Sequence, residues 1–208
     1  MLTQRTKVHR NPSRGAYDRH TIDAILDEAV IAHVAWVHDG RPAVIPTLIA
    51  RDGDHVLIHG SSASRTIRGL QAGAEACVEV THVDGLVLAR SAFHHSINYR
   101  SAILYGTLED APDKERTLEI FTEKLIPGRW DHVRWPTRQE LKGTAALALR
   151  IDEGSAKIRT GPPVDDDEDY ELDNWAGVVP MRTVYGEPEP DPRLRPEIAL
   201  PDHVRALS

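Results

Sequence analysis

The sequence predicts a mainly β fold, a small closed barrel of about six short antiparallel strands with a few flanking helices. Three observations point there. Asp-Gly pairs stand at 39–40, 52–53 and 84–85, each between apolar runs. That pairing marks a hairpin, because both central residues of a type I′ turn need positive φ. The runs between the pairs are short and rich in Val, Ile and Leu, while helical periodicity is confined to a few brief segments.

Residues 1–17 are polar and contain Asn11-Pro12 and Gly15, so an extended arm is expected. Asp18 suits a helix N-cap, and Ile22, Ile25, Leu26 and Ala29 recur at helical spacing, which predicts a helix over about 19–29. The period then changes. "VIAHVAWVH", "RPAVIPTLIAR" and "HVLIHG" read as three strands joined through the first two Asp-Gly pairs. The third pair is expected to join "EACVEVTHV" to "LVLARSAF", and a further strand covers about 97–109. Helices are expected from Ser64 to Ala72, stopping at Gly73, from near Asp113 to Pro127-Gly128, and over 137–142. "TAALALRID" supplies a last core strand and "SAKIRTG" an edge strand. The barrel domain thus spans 18–160. Residues 161–208 form a tail expected to pack on the barrel or the partner subunit, first acidic ("GPPVDDDEDYELD"), then apolar ("NWAGVVPMRTVYG"), then rich in proline.

Composition narrows the function classes. The 208 residues carry a formal charge of -7, which gives nucleic-acid binding no overall electrostatic support. Cys77 is the single cysteine, so no internal disulfide can form. No apolar run approaches the roughly 18 residues that span a bilayer, and the basic N-terminus lacks the apolar core of a signal peptide. A soluble cytoplasmic protein without a membrane partner is expected.

Three stretches carry chemistry. In "HGSSASRTIRGL" (59–70) a strand ends at Gly60 and a helix starts near Ser64, with Arg65 and Arg68 within one turn. Such a turn offers free N–H groups and guanidiniums to an anion. An ordinary Ser cap with exposed arginines is the competing reading. In "RPAVIPT", Pro46 cannot donate to a ladder, so the strand lies at an edge or is bulged there. In "AFHHSINYRSAILYG" (92–106), Ser96, Asn98 and Arg100 alternate with Ile97, Tyr99 and Ser101 on opposite strand faces. A buried Arg100 needs a partner, and no acid stands beside it in the sequence, so a ligand phosphate or ring carbonyl is the expected one. His94 and His95 are adjacent and point apart, and no companion ligand pattern accompanies them, so no metal is expected. No Gly-x-Ser-x-Gly elbow is present, and no catalytic residue stands out.

With "RPAVIPT" (41–47), "HGSSASR" (59–65), "THVDGLVLARSAFHHSINYRSAILYG" (81–106) and "NWAGVVP" (174–180), the chain resembles the pyridoxamine 5′-phosphate oxidase-like, FMN-binding split-barrel proteins, most nearly the 5-nitroimidazole-resistance branch. The resemblance implies a six-stranded antiparallel split barrel and a homodimer with FMN sites at the interface. It implies that Ser64 and Arg65, with Ser61 in the same turn and Arg100 assisting, hold the phosphate. The backbone at Val44, Ile45, Pro46 and Thr47 would edge the ring. His95, Ser96, Asn98, Tyr99 and Ser101 would line ribityl or ring contacts, and Trp175 would cover the ring from the second subunit. His59 is the position of the reactive histidine linked to the nitroimidazole branch. The function implied is an FMN-dependent oxidoreductase passing electrons from a nicotinamide or similar donor to a small electron-poor acceptor. The alternatives are a flavin-binding module without turnover, and a split barrel that binds deazaflavin F420 or haem, with His94 or His95 as axial ligand.

Overall fold

The computed structural model describes residues 1–207. After a short 3-10 turn and a two-residue strand, β1 (Gly15–Ala16), helix α1 (Arg19–Glu28) begins at Asp18, whose carboxylate accepts from the Thr21 N–H. Its Ile22, Ile25 and Leu26 are buried, as their spacing predicts. Strands β2 (Ile31–His38) and β3 (Arg41–Leu48) form the first hairpin. Asp39 and Gly40 both have positive φ, 49° and 72°, the type I′ signature.

The remaining elements are β4 (Ala50–Asp52), β5 (His55–Ser61), α2 (Arg65–Gln71), β6 (Glu75–Leu88), β7 (Ser96–Asp110), α3 (Lys114–Leu125), α4 (Arg138–Gly143), β8 (Thr144–Arg150), β9 (Glu153–Arg159), β10 (Gly177–Pro180) and α5 (Asp202–Arg205). Thr137 and Glu140 build a reciprocal capping box on α4. The sheet runs β3-β2-β6-β7-β8-β5-β4, all antiparallel. Along its length β7 exchanges one neighbour for another: Tyr99–Tyr105 pairs with β9, and Leu108–Asp110 with β8. That exchange splits the barrel. The main core includes Val34, Trp36, Ile58, Leu70, Val78, Leu104, Leu147 and Ile151, with α1 closing one side. A second apolar cluster of Leu57, Phe121, Ala146 and Ala148 lies under α3.

Three expectations are corrected. Asp84-Gly85 is no hairpin turn: β6 runs straight through it with a register shift between Val83 and Gly85. The glycine is needed there because a Cβ would stand 3.0 Å from the Val179 carbonyl oxygen on the neighbouring β10. "RPAVIPTLIAR" is not one strand but two, since the chain breaks at Ile49 and moves to the other sheet segment. Turn geometry falls on Gly53, φ 56°, while Asp52 stays in β4. Within the tail, the acidic segment packs. The Asp165 side chain is fully buried, accepts from the Arg90 and Ser91 N–H groups and pairs with the Arg90 guanidinium at 3.2 Å.

The arm is also fastened more firmly than an extended arm implies. Thr6 is buried, and Arg5 bridges Glu75 and Glu153 while lying over the Tyr105 ring. Among the described residues, no helix is long and apolar enough to cross a membrane.

Candidate functional site

The most suggestive site lies where the β2–β3 hairpin approaches α2. An open cleft of about 490 Å³ is lined by His38, Asp39, Arg41, Pro42, Ala43 and Arg65. Arg65 is the first residue of α2, placed by the strand end at Ser61 and by the Ser64 cap. The Ser64 hydroxyl makes no capping bond, so it is not consumed by the helix. Among the described residues neither Arg41 nor Arg65 forms an ion pair, although Asp39 lines the same cleft and sits 3.5 Å from His38. Two uncommitted guanidiniums in one cleft of an acidic chain suit an anion with several oxygens, such as a phosphate or diphosphate. Gly69 lets α2 lie close to the sheet: a Cβ there would stand 3.2 Å from Trp36 Nε1.

The neighbouring β3 is an edge strand, as Pro46 requires. Val44 is 61 % exposed, Pro46 is exposed, and Ile45 packs inward on the core. Val44, Ile45, Pro46 and Thr47 therefore offer one open strand edge beside the cleft. On β5, His59 is half-buried against Phe121, ring centroids 4.5 Å apart, and its Nδ1 is buried without a partner. Burial pushes its imidazole pKa down, so the ring is neutral near pH 7. Ser61 is exposed at the strand end.

The predicted contacts on β7 separate into two groups. Ser96 and His95 are exposed, and Tyr99 is partly buried beside Val83 and Arg159 in the ladder. Asn98, by contrast, is committed to the chain itself. Its amide donates to the Gly161 carbonyl, and its oxygen accepts from the buried Arg159. The Ser101 hydroxyl donates to the Lys157 carbonyl.

Arg100 is the clearest correction. It does have acidic partners: Asp84 at 2.8 Å and Glu28, both bidentate. Their hydrogen bonds hold both carboxyls below their ordinary range. The three line a second, larger cleft of about 980 Å³ with His82, Pro180 and Met181, and that cleft shares no lining residue with the Arg65 cleft. Within one chain, Arg100 thus lines a different cleft from Arg65.

The sequence reading missed Arg41 and His38. The signal was present, since Arg41 directly follows an Asp-Gly turn that folds it back. It also missed a cluster of His94, Asp166 and Asp169, whose ligand atoms lie within 4.8 Å of one another, with His94 Nε2 3.3 Å from Asp166. Trp175 is 68 % exposed, and Asn174 ties its loop to the Arg90 carbonyl.

Comparison with known proteins agrees with this architecture. The structure of the flavocytochrome Anf3 from Azotobacter vinelandii is 42 % identical, covers 99 % of this chain and 97 % of its own, and superposes with a TM-score of 0.93. The FAD- and haem-binding protein from Mycobacterium smegmatis is 44 % identical over 94 % of this chain and 97 % of its own, with a TM-score of 0.90. A 5-nitroimidazole antibiotic resistance protein from Bacteroides thetaiotaomicron, at 19 % identity and TM-score 0.58 over 69 % of this chain and 86 % of its own, shares the fold. No curated protein matches the chain. The family described as pyridoxamine 5′-phosphate oxidase matches residues 18–158, so the split barrel built above is a member of that family.

Proposed function

We propose that the protein is a flavin- and haem-binding redox protein, and that its flavin is FAD held by the phosphate-facing cleft at Arg41 and Arg65. The observation that carries the flavin half is the pair of guanidiniums without acidic partners, opening beside the exposed edge of β3. Two guanidiniums in one cleft favour a diphosphate over the single phosphate of FMN, the cofactor that the family resemblance implies. The haem half rests on the near full-length likeness to two proteins whose structures are described as a flavocytochrome and as an FAD- and haem-binding protein.

Within this reading Arg41, Arg65 and the free Ser64 hydroxyl hold the phosphates, while the backbone of Val44–Thr47 borders the ring. A flavin held there would supply hydride and electron-transfer chemistry, and a haem would supply one-electron chemistry. The chain's own part is to bind, orient and limit water access.

A homodimer completes the proposal. Val37 and Val44 are 64 % and 61 % exposed on the β2–β3 hairpin, and β3 has no strand on its outer side. A second copy would cover that edge, and Trp175 would reach the partner's flavin.

Titrating apoprotein with FAD, FMN and F420 tests the proposal. FAD is expected to bind most tightly, with the added haem giving a separate Soret band. Tight binding of F420 with weak binding of both flavins would refute it.

A further inference from the structure

We propose that a third cleft, at the start of α3, binds a linear polyamine, a chain of ammonium groups separated by short methylene runs. The inference is independent of the flavin reading, since this cleft shares no lining residue with the one at Arg65.

The cleft has a volume of about 450 Å³ and is lined by Trp130, Trp135, four carboxylates and one guanidinium. Trp135 is 56 % exposed, yet it is not loosely held. The buried Trp130 stacks with it, ring centroids 6.0 Å apart and 26° between the planes. Glu123 fastens Trp130 by accepting from its N–H and from that of Gly128, at 2.7 and 2.6 Å. Arg134 fastens Trp135 by donating to its carbonyl at 2.8 Å, and is itself paired with Glu140 of α4. An uncovered indole held from both sides is a preorganised platform. It loses little freedom when a ligand arrives, and its ring face attracts cations.

The charges around the indole are not all spent. Arg116 pairs with Glu119 at 2.9 Å, and Asp113 caps α3 by accepting from the Arg116 N–H. Glu115, on α3, and Asp131, in the segment between α3 and α4, form no ion pair among the described residues. The charged lining is therefore negative on balance, with its one cation already paired.

Geometry sets the class of cation. A small inorganic ion needs several ligand atoms converging on one point. No three of the acids here converge. Among the described residues the only such group within 4.8 Å is His94, Asp166 and Asp169, which lies elsewhere. A linear polyamine needs the opposite arrangement: carboxylates on separate segments for its ammonium groups, and an apolar face for the methylenes between them. Glu115, Asp131 and Trp135 supply that combination in one cleft.

Calorimetric titration of the protein as purified with spermidine tests this, with Mg²⁺ and tetramethylammonium as comparison cations. Wild type is expected to bind spermidine at one site, more weakly as salt rises. Trp135→Ala should lose affinity by at least roughly tenfold, while Trp135→Phe keeps a ring face and most of the affinity. The Glu115→Gln/Asp131→Asn double variant should weaken binding as much as Trp135→Ala. Circular dichroism should show every variant folded, and FAD affinity should not change. Tetramethylammonium, with one charge and no chain, should bind more weakly than spermidine, and so should Mg²⁺. Unchanged spermidine affinity in Trp135→Ala, equal or tighter binding of either comparison cation, or a wild type that binds no spermidine overturns the proposal.

Discussion

Two of the arginine-bearing clefts on this molecule differ in how their arginines are paired. At Arg100 the guanidinium meets Glu28 and Asp84 at bidentate distances, and its charge is neutralised within the chain. At Arg65 and Arg41 no ion pair forms among the described residues. The first cleft is larger, about 980 Å³ against about 490 Å³, and it also holds Arg182, which forms no ion pair among the described residues; the smaller cleft brings two such guanidiniums together. What marks a site for an anion is a cation whose partner the fold withholds.

The largest expected effect tests the smaller cleft. Replacing both Arg41 and Arg65 by Ala is expected to remove about 3–6 kcal/mol of flavin binding, the sum of two charge-assisted contacts, with little change in thermal stability. A flavin titration beside a melting curve reads both.

Next comes the anchor of the acidic segment. Asp165→Ala strands the Arg90 and Ser91 N–H groups, and should lower the melting midpoint on the order of 5 °C by releasing the loop that precedes Trp175. Differential scanning calorimetry checks it, and an unchanged midpoint would show the buried carboxylate to be dispensable.

Arg100→Ala should do the opposite of the cleft variants. It is expected to cost about 1 kcal/mol of stability, because the network is partly exposed, and to leave flavin affinity within about threefold. It also has a pH signature. Glu28 and Asp84 are held below their ordinary range, so their contribution is complete at neutral pH and is lost as pH falls through their folded values. The acid limb of wild-type stability should therefore be steeper than that of Arg100→Ala. Parallel limbs in urea unfolding across pH 3–6 would contradict the pairing.

The smallest effect is at His59. Its folded imidazole resists protonation, so the unfolded chain takes up the proton first and stability falls as pH drops below about 6.5. His59→Gln should flatten that decline.

Local features of this fold were legible and distant pairings were not. Asp39-Gly40 could be read because a type I′ turn is decided by its own two residues. The same dipeptide at 84–85 misled, since its glycine answers to the close approach of Val179, 94 positions further on. The helix at Arg65 and its Ser64 cap were visible for the same local reason, and with them half of the candidate anion site. The other half was hidden. Arg41 meets Arg65 only after the hairpin folds over α2, and Arg100 loses its freedom to Glu28, 72 positions away. Asn98 looked available because nothing nearby claimed it, yet Gly161 and Arg159 do.

The most direct measurement compares FAD dissociation constants for wild type, the Arg41→Ala/Arg65→Ala double variant and Arg100→Ala under one ionic strength. The expected result is a loss of at least roughly 100-fold in the double variant and little change in Arg100→Ala. Equal affinity in wild type and the double variant, or a larger loss at Arg100, would contradict the claim that the unpaired guanidiniums hold the flavin.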